Sequence, residues 1–144
     1  MRIVLDTDVL VAAIQSPTGA SREILRMILS RKGSGALSIA VSTALFLEYE
    51  AVLLRSERLA AAKASPSDIA DVLNGLAEVA VPVGLAYRLR PTGAHADDEL
   101  VVETAVNGIA DVIATFNVRH VQSAAARFGI AVETPSKVLR RIRS

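Results

Sequence analysis

The chain has no cysteine, so disulfides, thiol nucleophiles and thiolate zinc sites are all excluded. Aromatic residues make up only 3% of its 144 positions, which leaves little for stacking on single-stranded bases. The core must then come from Leu, Val, Ile and Ala, within a hydrophobic share of 51%. Charge of one sign is lacking as well: 16 basic and 15 acidic residues give a formal net charge of +1. Lysine is scarce, with only Lys32, Lys63 and Lys137 among the basic residues. Arginine suits phosphate and carboxylate forks, although genome composition accounts for the bias better. No long hydrophobic run is present. The most apolar stretch, Ser38 to Leu54, is interrupted by Glu48 and Glu50 and falls short of the ~20 residues that a spanning helix needs. A strand expected within two residues of the N-terminus leaves no room for a signal peptide. These absences fit a cytoplasmic protein, and the length suits one domain over residues 1–144.

What is present alternates between strand and helix patterns. Ile3-Val4-Leu5 reads as a buried strand. Thr7 or Asp8 can cap a helix from Val9 to Ile14, which Ser16-Pro17-Thr18-Gly19 breaks. Ala20 to Lys32 is an amphipathic helix with the stripe Ile24, Leu25, Ile28 and Leu29, ended by Gly33 and Gly35. Leu37 to Val41 reads as strand, and Ser42 or Thr43 caps a helix to about Leu54. Ser65-Pro66-Ser67-Asp68 opens a helix to about Glu78. Val79 to Val83 is a strand that Pro82 places at a sheet edge. Pro91 to His95 is loop, Asp97 to Asn107 helix and Asp111 to Thr115 strand. Val118 to Phe128 is helix, Ile130 to Val132 strand, and Pro135 starts a short basic helix. The alternation implies an α/β layered fold with a mainly parallel sheet, whose ligands bind beyond the carboxyl ends of the strands.

That rule singles out particular acids. Asp6 follows the first strand; capping is its bland role, but Thr7 and Asp8 can cap too. Asp98 lies on the helix side shared by Val101, Val102, Ala105 and Val106, whereas Asp97, Glu99, Glu103 and Asn107 point elsewhere. Its bland role is favourable contact with the helix dipole, which Asp97 already satisfies. Glu48 and Glu50 both interrupt apolar surface on one helix, and periodicity does not choose between them; either can reach water or pair with Arg55 or Arg58. Thr115 and Asn117 follow a strand at the same edge, with helix capping the strong alternative for Asn117. Asp111 sits about 13 Å away at the other end of that strand and is left out. His95 and His120 have no metal-ligand spacing. The arginines Arg22/Arg26, Arg88/Arg90 and Arg140/Arg141/Arg143 read as solvated surface. Acids in such apolar places need a compensating charge, and a divalent metal is the usual one.

Four segments in order resemble the motifs of PIN domains, from Arg2 to about Leu139. They are Ile3 to Leu10; Ser42 to Arg55 with Glu48; Asp97-Asp98-Glu99 through Gly108-Ile109-Ala110-Asp111; and Ala114 to His120. The likeness is nearest to the VapC-like toxin components of bacterial toxin–antitoxin pairs. It implies a three-layer α/β/α sandwich with a central, mainly parallel sheet. It further implies a Mg²⁺- or Mn²⁺-dependent endoribonuclease, neutralised by a cognate antitoxin and commonly a homodimer. Carried over by motif, the catalytic metal acids are Asp6, Glu48 and Asp98, supported by Thr7, Asp8 and Thr115. The resemblance thus selects Glu48 over Glu50. The departure is Asn117, where many members carry a fourth aspartate; its amide oxygen can still address a metal-bound water. Asp8 stands where many members have an uncharged polar residue.

Two other readings compete. Asn117 keeps open a degenerate PIN domain that binds RNA or a protein without cutting. An apolar strand followed by Asp-x-Asp also opens haloacid-dehalogenase-type phosphatases, with Asp6 as nucleophile and Asp8 as acid. Leu10 departs from that pattern, and none of the three lysines sits at a convincing position for it.

Overall fold

Among the described residues, short runs of β-branched and aliphatic residues form five strands: β1 (Arg2–Leu5), β2 (Ser38–Ser42), β3 (Val81–Val83), β4 (Val112–Ala114) and β5 (Ala131–Glu133). The computed structural model of the protein describes residues 1–30, 37–87 and 98–144. The strands make one sheet in the order β3-β2-β1-β4-β5, every pair parallel. The register sets Ile3 beside both Ile39 and Val112, and Val112 beside Ala131. Parallel strands require crossovers, and these are helical. Among the described residues the helices are α1 (Thr7–Gln15), α2 (Ala20–Ser30), α3 (Thr43–Leu53), α4 (Ser56–Ala62), α5 (Pro66–Val79), α6 (Glu99–Asn107), α7 (Val118–Ala126) and α8 (Pro135–Arg143).

Helices cover the sheet, giving the expected three-layer α/β/α sandwich. α6 lies on β1, β2 and β4 and neighbours α3 and α7, while α8 lies against β4 and meets α2, itself packed on α1. The central strands are therefore buried: Ile3, Val4, Leu5, Ile39, Ala40 and Ile113 are essentially inaccessible. Arg22 reaches from α2 to the last carbonyls of α1, donating to Ala13 and, at 3.1 Å, to Ile14. Arg141 clamps Glu133 at the end of β5, 3.0 Å from Nε to Oε1, and its hydrogen bond holds that carboxyl below its usual range.

The chain fills one side of the sheet with β2 and β3, then returns across β1 to add β4 and β5. The strand order therefore reverses between β1 and β4, which opens a crevice beyond their carboxyl ends. The backbone N–H of Asp6 still donates to Ala114 at 2.9 Å, so the two turns that leave these strands start side by side.

Several expectations need correction. The first helix begins at Thr7 and its cap is Asp6, not Thr7 or Asp8, because the Asp6 side chain accepts the Thr7 N–H. Helix α4 has no counterpart in the sequence reading; its short run SERLAAA carries too little periodicity to stand out. Helix α5 continues through Val79, so β3 begins at Val81, and Pro82 does lie on an edge strand. β5 is shifted by one residue and α7 ends at Ala126. Glu103 and Thr104 are buried along with Val101, Val102 and Ala105, whereas Val106 is only half-buried. Thr104 is satisfied there by a 2.8 Å hydrogen bond with Ser42, which also caps α3. Gly33, Gly35, the loop Pro91 to His95, Asp97 and Arg88/Arg90 lie outside the described residues.

Gly108 ends α6 where the chain turns into the sheet. A Cβ there would stand 2.9 Å from Val83, 3.0 Å from the Thr104 carbonyl and 3.2 Å from Ala40. Two of these three neighbours cannot swing away. We expect Gly108→Ala to destabilise the fold by about 1–3 kcal/mol, measured by denaturant unfolding.

Candidate functional site

The site begins with where β1 stops. Asp6 takes extended backbone angles at the α1 cap, which turns its side chain over the crevice between β1 and β4. Its Oδ1 accepts from Thr7 N at 2.8 Å and its Oδ2 from the Thr115 hydroxyl at 2.7 Å. Thr115 is fully buried just beyond β4 and receives the Asn117 N–H at 2.9 Å. From the other strand, Thr7 donates its hydroxyl to Glu48 Oε2. Beneath them Tyr49, wholly buried, donates to the Leu5 carbonyl at 2.5 Å. Burial, with the charges of Asp6 and Glu48, pushes the Tyr49 hydroxyl well above its usual range and keeps it a donor.

A cleft of about 700 Å³ opens over this turn. It is lined by Asp6, Thr7, Asp8, Glu48, Asp98 and Asn117, with Gln15, Arg55 and Arg58 also on its walls. The structure therefore separates the two glutamates of α3. Glu48 is half-buried in the cleft, whereas Glu50 is exposed and absent from its lining. Asp98, only 7% exposed, occupies the cap position of α6 without a capping hydrogen bond from its side chain. Asn117 occupies the cap position of α7, but its side chain does no capping either; the amide nitrogen donates to Asp8 Oδ2 at 3.1 Å. Asp111 stays at the far edge, accepting from Arg2 N at 2.7 Å, and His120 is exposed on α7. His95 lies outside the described residues.

The electrostatics follow from this placement. Burial first, then the charges of Asp8 and Asp98, push the Asp6 carboxyl from 3.8 to about 7, against the opposing hydrogen bonds from Thr115 and Thr7. Burial also raises Asp8, with Asp98 adding to it, against the hydrogen bond from the Phe116 backbone. Like charges crowd a poorly hydrated place, so a cation is the natural complement. The donors are all hard carboxylate oxygens, which suit Mg²⁺ or Mn²⁺. Among the described residues, no three acids or imidazoles form a ready-made metal cage. They face one another across an open cleft instead. Mg²⁺ is commonly held in such open sites, by one or two carboxylates and several waters.

Sequence reasoning missed Arg55 and Arg58 as cleft residues, since they belong to the turn into α4 that it did not read. The available signal was their standing as candidate partners for Glu48 and Glu50, a few residues along the chain.

Asp6 titration gives a prediction. The fold favours the neutral acid, so its stabilising contribution is complete below about pH 4 and is lost as pH rises through 7. Asp6→Asn removes the titration. In EDTA, wild type should lose stability relative to Asp6→Asn between pH 4 and 8, by up to about 4 kcal/mol. Parallel unfolding curves across that range would contradict the burial argument.

Comparison with known proteins assigns the fold. A family model described as PIN domain matches residues 2–119. No curated protein matches the chain. A solved structure, the crystal structure of VapBC2 from Rickettsia felis bound to a DNA fragment from their promoter, superposes with a TM-score of 0.61 at 15% identity. The match covers 93% of this chain and 98% of that one. The family model spans well over half of the sequence and includes both turns that meet at the cleft, and on that ground the chain belongs to the PIN domain family.

Proposed function

We propose that the protein is a metal-dependent endoribonuclease, acting as the toxin of a toxin–antitoxin pair. The observation that carries this reading is the convergence of Asp6, Glu48 and Asp98 on one cleft that Arg55 and Arg58 also line. Acids that crowd one another suit a divalent cation, and neighbouring arginines suit a polyanion. The PIN family assignment and the order of the four motifs support hydrolysis of RNA. The fold shared with VapBC2 supports a cognate antitoxin as partner.

In this reading Asp6, Glu48 and Asp98 hold Mg²⁺ or Mn²⁺, with Thr7 and Thr115 fixing two of the carboxylates by hydrogen bonds. The bound ion supplies neutralising charge and a water of lowered pKa. The arginines bind flanking phosphates and set the scissile bond over the acids. A cleft carboxylate accepts a proton from the attacking water as its oxygen bonds to phosphorus. The bond from phosphorus to the 3′-oxygen breaks, leaving a 5′-phosphate and a 3′-hydroxyl that is protonated from solvent. Buried Thr115 keeps the Asp6 carboxylate in place, and Thr7 does the same for Glu48.

A homodimer and a cytoplasmic location belong to the same proposal. Leu47 and Leu54 stay exposed on and just beyond α3, apolar surface that an interface would use. No helix among the described residues is long and apolar enough to cross a membrane. The phosphatase alternative loses its basis in the family assignment. The non-cutting alternative remains the outcome to be tested.

The test is cleavage of a mixed structured RNA with Mg²⁺, Mn²⁺ or EDTA, using wild type, Asp6→Ala and Asp98→Asn. We expect metal-dependent cuts that fall to the EDTA background in both variants. Metal binding without cuts would favour the degenerate reading, and an active, folded Asp98→Asn would overturn the metal assignment. With a defined substrate, Arg55→Ala and Arg58→Ala should raise KM several-fold with kcat little changed, the pattern of lost uniform binding. A fall in kcat alone would place the arginines at the reacting phosphate instead.

A further inference from the structure

Asn117 is an uncharged amide among the cleft acids, and its bonding shows what it addresses. Its side-chain nitrogen donates to Asp8 Oδ2 at 3.1 Å. The same oxygen accepts the Phe116 N–H at 3.2 Å. Asn117 N donates to Thr115, whose hydroxyl donates in turn to Asp6. The turn after β4 is thus bonded to both acids of the turn after β1. An aspartate at 117 would set oxygen against oxygen across that 3.1 Å contact. The pair therefore suits one negative charge, and here it sits at position 8.

The other oxygen of Asp8 adds an independent fact. Among the described residues, Oδ1 is buried and accepts no hydrogen bond. A buried carboxylate oxygen with nothing to compensate it is costly and calls for a cation or water. Stabilising the start of α1 through the helix dipole accounts for an acid at position 8, but not for a clamped Oδ2 beside a buried, unbonded Oδ1.

We infer that Asp8 is the fourth metal-facing carboxylate of the cleft, and that Asn117 is a positioning residue which holds it there. Position 117 could carry that charge only if position 8 gave it up. This inference rests on the metal-site reading above.

The test is calorimetric titration of Mn²⁺ into wild type, Asp98→Asn, Asp8→Asn and the double variant Asp8→Asn/Asn117→Asp, with folding checked by thermal melts. Asp8→Asn should weaken Mn²⁺ binding roughly ten- to a hundredfold. The double variant should recover most of that loss, a rescue that a merely structural role for Asp8 would not produce. If Asp8→Asn fails to fold, Asn117→Ala carries the test, with weakened binding expected. Binding unchanged in Asp8→Asn but lost in Asp98→Asn overturns this inference and leaves the metal site standing. Loss in Asp8→Asn without recovery in the double variant overturns the exchange of charge. No Mn²⁺ uptake by wild type overturns both the inference and the metal-site reading.

Discussion

The carboxylate of Asp6 is the constraint on which the rest of the arrangement depends. It caps α1, accepts the Thr115 hydroxyl from the opposite turn, and lies nearly buried beside two further acids. A neutral amide of the same shape would keep the first contact and meet the second by donating to Thr115, at less electrostatic cost. Only the third, the crowding of like charge, makes little sense as structure alone. Each neighbouring feature tightens that crowding. The sheet order puts the ends of β1 and β4 together, α6 brings in Asp98, and Thr7 anchors Glu48 from α3.

Much of this is legible in the sequence. The strands announce themselves because parallel, doubly covered strands are short and continuously apolar, as in Ile3-Val4-Leu5. Pro82 marked an edge because it has no N–H to donate to a ladder. Asp98 was legible because helical periodicity placed an acid on an otherwise apolar side. The capping of α1 was misassigned for a physical reason: Asp6, Thr7 and Asp8 are all competent caps, and only the direction of the chain leaving β1 decides among them. Glu48 and Glu50 were inseparable because α3 carries apolar residues nearly all round, Leu47 exposed among them. Tertiary placement, not periodicity, turns Glu48 into the cleft. Arg55 and Arg58 were legible only as partners for the glutamates of α3, because the helix they open is too short to declare a face.

The threonines show how the site is tied together without a disulfide. Thr115 links the backbone of Asn117 to the side chain of Asp6, and Thr7 links its own turn to Glu48. Tyr49 ties α3 to the last residue of β1. Asp6 and Glu48, from separate elements, are thereby fixed by hydrogen bonds from neighbouring turns. The same logic makes the pairing of Asp8 with Asn117 meaningful, since a change at one position alters the charge the other can carry.

The most direct test of the central claim, that these buried acids form one cation site, is anomalous diffraction from crystals grown with Mn²⁺. The account requires a strong peak in the cleft, about 2–2.5 Å from carboxylate oxygens of both Asp6 and Asp98. A peak elsewhere, or a cleft without one at saturating Mn²⁺, would contradict it.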